Sequence, residues 1–69
     1  MKTKKLTKAE MAKIKEDIKA ITKRMSEISE ALEADPNTGY ELFDSARWAV
    51  DHLLGVAEWL GIDTDEIFK

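Results

Sequence analysis

The sequence predicts an all-α fold, an antiparallel helical hairpin followed by a short C-terminal third helix. In two long segments, apolar residues recur at alternating intervals of three and four, which is the spacing of an amphipathic helix. A short segment containing Pro36, Asn37 and Gly39 separates them, so the two helices are expected to lie antiparallel. We expect one helical domain over 1–69, with residues 1–6 as a basic flexible tail.

Helix 1 is predicted over 8–34. Thr7 and Glu10 have the spacing of a capping box, in which each side chain accepts a hydrogen bond from the other residue's backbone N–H. The apolar residues then form one narrow stripe that we expect to be the buried seam: Met11, Ile14, Ile18, Ile21, Met25, Ile28 and Leu32. Most other positions are polar, so the rest of this helix is expected to face solvent.

A turn over 35–38 and a second helix over 39–60 are predicted next. Pro36 disfavours the helical conformation in the residue before it, and Thr38 and Glu41 repeat the capping-box spacing. Gly61 is predicted to lie just past the end of helix 2. A third helix follows over 64–68, where Ile67 and Phe68 are expected to close the open end of the core.

Helix 2 carries two apolar stripes on opposite sides, whereas a two-helix hairpin can bury only one of them. The first, expected to pack on helix 1, is Phe43, Ala46, Val50, Leu53, Ala57 and Leu60. We name the second the tryptophan stripe, and it comprises Trp48, Ala49, His52, Gly55, Val56 and Trp59. Because a lone hairpin has no layer to cover it, we expect a homodimer that completes a four-helix bundle, or a different partner protein.

The charge is divided along the chain. Residues 1–24 hold nine basic and three acidic residues, whereas residues 25–69 hold two basic and eleven acidic ones. In an antiparallel hairpin the basic start lies beside the acidic end, so the asymmetry is interpreted as fixing the direction of the fold. The alternative is nucleic-acid binding by the back of helix 1, through Lys8, Lys15, Lys19, Lys23 and Arg24.

Candidate catalytic chemistry is sparse. His52 is the only histidine, and no carboxylate lies three or four residues from it, where a helical metal site would place one. Asp44, Asp51 and Glu58 recur every seven residues and are interpreted as the solvated edge of helix 2. We therefore expect no catalytic residues, no metal, no cofactor and no enzymatic activity.

The predicted function is a small protein–protein interaction module, a regulator, inhibitor or adaptor that self-associates through helix 2, with nucleic-acid binding as the alternative. The chain lacks cysteine and has no apolar segment suited to export or to crossing a bilayer. We accordingly expect a cytoplasmic protein without a membrane partner.

Overall fold

The computed structural model of the protein describes residues 5–68, in three helices: α1 (Lys8–Ala34), α2 (Tyr40–Trp59) and α3 (Thr64–Phe68). The two long helices pack against each other antiparallel, and α3 contacts both. This confirms the all-α hairpin with a short third helix. Residues 1–4 of the predicted basic tail, and Lys69, lie outside the described residues.

The capping box at the start of α1 is confirmed. The Thr7 backbone N–H donates to the Glu10 carboxylate at 2.9 Å, and the Glu10 backbone N–H donates to the Thr7 hydroxyl at 3.1 Å. Two N–H groups that lack a partner inside the helix are thereby satisfied. This fixes the start of α1 at Lys8.

The second predicted capping box, at Thr38 and Glu41, is wrong. The N-cap of α2 is Gly39, which has no side chain to accept a hydrogen bond, so the helix begins at Tyr40. The Thr38 hydroxyl instead donates to the Asp35 carboxylate at 3.2 Å, and the Asn37 backbone N–H donates to the same carboxylate at 2.9 Å. Asp35 thus organises the turn, and the Thr38 side chain lies against its carboxylate while Gly39 occupies the N-cap.

The end of α2 folds back through a Schellman motif. Gly61 has a φ of +76°, in the left-handed region that favours glycine. The Ile62 backbone N–H donates to the Ala57 carbonyl at 2.9 Å, and the Gly61 N–H donates to the Glu58 carbonyl at 3.0 Å. This turn buries Ile62 and leads into α3, where Ile67 is 2% exposed. Phe68 was predicted to help close the core, but it stays 46% exposed.

The buried residues of α1 and α2 are small. Thr22, Ser29, Ala46 and Ala57 are all buried, and the Thr22 hydroxyl donates to the Ile18 carbonyl at 2.6 Å. The predicted seam of α1 is therefore wrong at its centre, where Ile21 is 51% exposed. Short side chains let the two helix backbones approach closely, and α1 turns Thr22 and Ser29 toward α2 instead of Ile21.

The two broad sides of the hairpin differ in character. On one side a polar groove runs between the helices, lined by Ser26, Ser29, Glu30, Glu33, Arg47, Val50 and Asp51. On the same side α3 lies against α1, with Glu66 and Ile67 beside Lys19 and Lys23. Each residue of an α-helix is rotated by about 100° from the one before it. The residues that face the opposite side of the hairpin can therefore be identified from those that line this side.

We name that opposite side the apolar face. Its α1 residues are Ile14, Ile21, Met25, Ile28 and Leu32, and its α2 residues are Leu42, Ser45, Ala49, His52 and Val56. No element among residues 5–68 covers it, and Ile21, Leu42 and Val56 are each more than two-fifths exposed. The tryptophan stripe continues this face around the outer side of α2.

The molecule is a thin slab, 48 × 33 × 14 Å along its principal axes. Its thickness is close to the diameter of one helix with its side chains, about 10–12 Å. Its radius of gyration is 14.7 Å, against about 11 Å for a compact domain of this length. The hairpin is thus a single helical layer, with little interior of its own.

Candidate interaction site

An open apolar groove of about 600 Å³ follows the outer side of α2. It is lined by Trp48, Asp51, His52, Gly55, Val56, Trp59 and Leu60. Five of the six residues predicted for the tryptophan stripe lie in this lining, and Ala49, the sixth, is half-buried beside them. Trp59 is 91% exposed and Trp48 59%. A groove with two exposed indoles at its walls is suited to receiving an apolar side chain.

Gly55 forms part of the floor of this groove. A Cβ atom added there would meet no atom within 4 Å, and the residue is not in the left-handed region. Glycine costs about 1 kcal/mol relative to alanine inside a helix. Within residues 5–68, neither the backbone conformation nor a close contact requires a glycine at this position, and no side chain or backbone approaches it.

His52 is held against Trp48. Its Nδ1 atom lies 2.8 Å from the Trp48 backbone carbonyl oxygen, and the two ring centroids are 5.9 Å apart at a tilt of 46°. Because a carbonyl only accepts hydrogen bonds, Nδ1 carries the proton in this arrangement. The imidazole and the Trp48 indole therefore lie side by side on α2. Among residues 5–68, no group of three or more His, Cys, Asp or Glu side chains is placed to hold a metal ion.

A second apolar groove, which we name the isoleucine groove, lies on α1. It has a volume of about 320 Å³ and is lined by Ala20, Ile21, Arg24, Met25 and Ile28. The sequence interpretation missed it because the three large apolar residues were assigned to the core. The available signal was the pair Thr22 and Ser29, two small residues seven positions apart beside the apolar stripe, which indicates a close helix contact there.

The basic residues of α1 do not form one exposed, unpaired basic surface. Lys15 and Lys19 are half-buried, while Lys8, Lys23 and Arg24 are exposed. The Lys19 ammonium pairs with Glu16, whose hydrogen bond raises the pKa of Lys19; the charge of Glu66 raises it further, against a lowering effect of burial. Part of the field that would attract a phosphate is thus neutralised within the chain.

The ion pairs of the described part of the chain all lie within α1. Besides Lys19 and Glu16, Lys13 pairs with Asp17 at 3.5 Å and Arg24 with Glu27 at 3.4 Å. Among residues 5–68 no ion pair joins α1 to the acidic end of the chain, but Glu66 of α3 lies beside Lys19 and Lys23. Exposed ion pairs within one helix contribute little stability.

Comparison of the chain with known protein families, curated proteins and solved structures found no match. Across residues 5–68, no helix is both long enough and apolar enough to span a bilayer.

Proposed function

We propose that the protein is a small, non-enzymatic interaction module, a regulator, inhibitor or adaptor, that self-associates through α2. The observation that carries this proposal is the groove of the tryptophan stripe, with Trp48 and Trp59 standing in solvent at its walls. Tryptophan is enriched among the residues that dominate binding energy at protein interfaces. In the proposed assembly, α2 is the central element, packed on α1 by one side and on the second copy by the other.

The surface area of the chain supports association. The protein exposes 5770 Å², whereas a compact monomer of its mass exposes about 4,400 Å². A compact particle of twice the mass exposes about 7,300 Å², about 4,200 Å² less than two separate copies. A dimer of that average compactness would bury this difference, which lies in the range of obligate homodimer interfaces, about 2,000–5,000 Å².

Molecular mass in solution, measured across concentration, tests the proposal. At micromolar concentration we expect a dimer or a larger assembly, and a thermal midpoint that rises with protein concentration, because association stabilises only the folded chain. A 7.8 kDa particle at every concentration, with a constant midpoint, would contradict self-association and would favour a partner of another kind.

Substitutions at Gly55 test the same groove. In an exposed helix, Gly55→Ala gains up to about 1 kcal/mol, and the chain alone has room for the added methyl. In a packed interface Gly55→Leu is expected to lose about 1–3 kcal/mol by overpacking and to dissociate the assembly. Ala31→Leu, at an exposed position of α1, is the matched control and should leave the mass unchanged. If Gly55→Leu also left the mass unchanged, α2 would not be the interface.

A further inference from the structure

We infer that the second copy covers both helices of the hairpin, and that the isoleucine groove of α1 forms part of the interface with the tryptophan stripe. This inference rests on the proposed self-association, but it assigns to the interface residues that the sequence placed in the core. It commits to one occupant, the apolar face of a second copy of this chain.

The first argument is the position of the isoleucine groove. Ile21, Met25 and Ile28 lie on the side of the hairpin opposite α3 and the polar groove. Ala49, His52 and Val56 occupy the same side of α2. The antiparallel register brings them to the same level, since Ile18 packs near Ala57 whereas Ser29 lines the polar groove with Arg47 and Val50. The grooves of α1 and α2 therefore border one continuous apolar face.

The second argument is area. A tryptophan side chain buries at most about 250 Å², so Trp48 and Trp59, at their exposures, offer about 400 Å² between them. The surface in excess of a compact monomer is more than three times larger, about 1,400 Å² per chain. Contact through the tryptophans alone leaves most of this excess in water. Burial of the apolar face as well would add the exposed surface of Ile21, Leu42 and Val56, each more than two-fifths exposed.

The third argument is charge. Of the ten α1 and α2 residues named for the apolar face, none is Asp, Glu, Lys or Arg, and Glu10, which is in line with Ile28 at the end of this face, accepts a hydrogen bond in the capping box. At its rim, Arg24 is already paired with Glu27. A face without net charge does not attract a strongly charged partner, and a two-fold axis places an identical uncharged face opposite it without any unpaired buried charge.

Ile21→Gln tests the inference, with Ala31→Gln as the matched control on the exposed back of α1. Because Ile21 is half-exposed in the single chain, the substitution should leave the helical content of the dissociated protein unchanged. In the assembly it removes a buried apolar side chain from each copy, and we expect the concentration at half-dissociation to rise about tenfold or more. Sedimentation equilibrium measures this, with circular dichroism as the check on folding.

Ile21→Ala serves as a second variant that keeps the site apolar and preserves helix propensity, and it should weaken association in the same direction by a smaller factor. The inference is overturned if Ile21→Gln and Ile21→Ala associate as tightly as Ala31→Gln while Gly55→Leu dissociates; self-association through α2 would then stand alone. If the unsubstituted chain is itself a monomer at every concentration, both the proposed function and this inference fail.

Discussion

At the scale of single residues, Thr22 and Ser29 decide how the hairpin packs. Both sit at the contact between α1 and α2, Thr22 with no exposed surface at all. The Thr22 hydroxyl is satisfied by the carbonyl of Ile18, one turn earlier, so a polar group is buried without an unpaired donor. A short side chain whose hydroxyl bonds to a carbonyl of its own helix allows α1 and α2 to approach each other without adding bulk.

Thr22→Leu should therefore destabilise the fold. The added volume has no space at the contact and is expected to cost about 1–3 kcal/mol of unfolding free energy. Thr22→Val keeps the shape and leaves no orphaned group, because the Ile18 carbonyl retains its helical backbone partner, so it should stay within about 1 kcal/mol of the parent. Urea unfolding at one protein concentration measures both. Equal stability of the two variants would mean that the helices are not tightly packed at Thr22.

Residue burial on α1 was the least predictable property of the chain. The stripe from Met11 to Leu32 is a faithful signal of helix and of amphipathicity, but periodicity alone does not say which edge of a wide stripe faces the neighbouring helix. The small side chains of Thr22 and Ser29, together with Ala46 and Ala57 across the contact, settle that orientation. To predict that Ile21 is exposed, one would have to recognise that a close approach of the two helices at small residues is favoured over the burial of this large apolar side chain.

At the scale of elements, the helix caps account for much of what the sequence predicted well and for one of its errors. Thr7 and Glu10 begin α1 as expected, and Gly61 ends the fold-back after α2 as expected. The box at Thr38 does not form because α2 begins one residue later, with Gly39 at the N-cap, and the Thr38 hydroxyl donates to Asp35 within the turn. Spacing identifies which residues are able to cap, and the backbone path of the turn decides which residue occupies the N-cap.

Gly61→Ala is expected to loosen α3. An L-residue with a side chain in the left-handed region costs about 1–2 kcal/mol, so the turn that buries Ile62 should be destabilised and the Ile62 amide should exchange faster. Gly61→Asn should lose less, because asparagine tolerates this conformation. Gly55→Ala is the matched control, since Gly55 is not in the left-handed region and has room for the added methyl group. Equal effects at the two glycines would argue that the left-handed turn is not maintained in solution.

At the scale of the whole molecule, the thin slab explains why the tryptophan stripe was recognisable from sequence and the isoleucine groove was not. One neighbouring helix cannot cover two apolar stripes on opposite sides of α2, and both stripes can be recognised from the amino-acid sequence alone. The isoleucine groove depends on how α1 is rotated and on α3 occupying the other broad side. Tertiary placement of that kind is invisible to a pattern within one helix.

Charge at the molecular scale yields a test of the nucleic-acid alternative. Because Lys19 is paired and Lys15 half-buried, we expect no binding to duplex DNA or to RNA at low salt. Electrophoretic mobility with each probe measures this. Binding that falls steeply with salt, and that disappears when Lys15, Lys19 and Lys23 are all changed to Gln in a folded chain, would contradict the expectation and restore the alternative.

The exposure of both tryptophans gives the protein a built-in optical reporter. Trp48 and Trp59 are the only two indoles in the chain, and neither is buried by folding of the hairpin. The emission maximum of a dissociated, folded chain should therefore resemble that of the unfolded one, whereas desolvation by a second molecule should shift it to shorter wavelength. Intrinsic fluorescence would then follow association while circular dichroism follows folding, so the two processes are separable without any label.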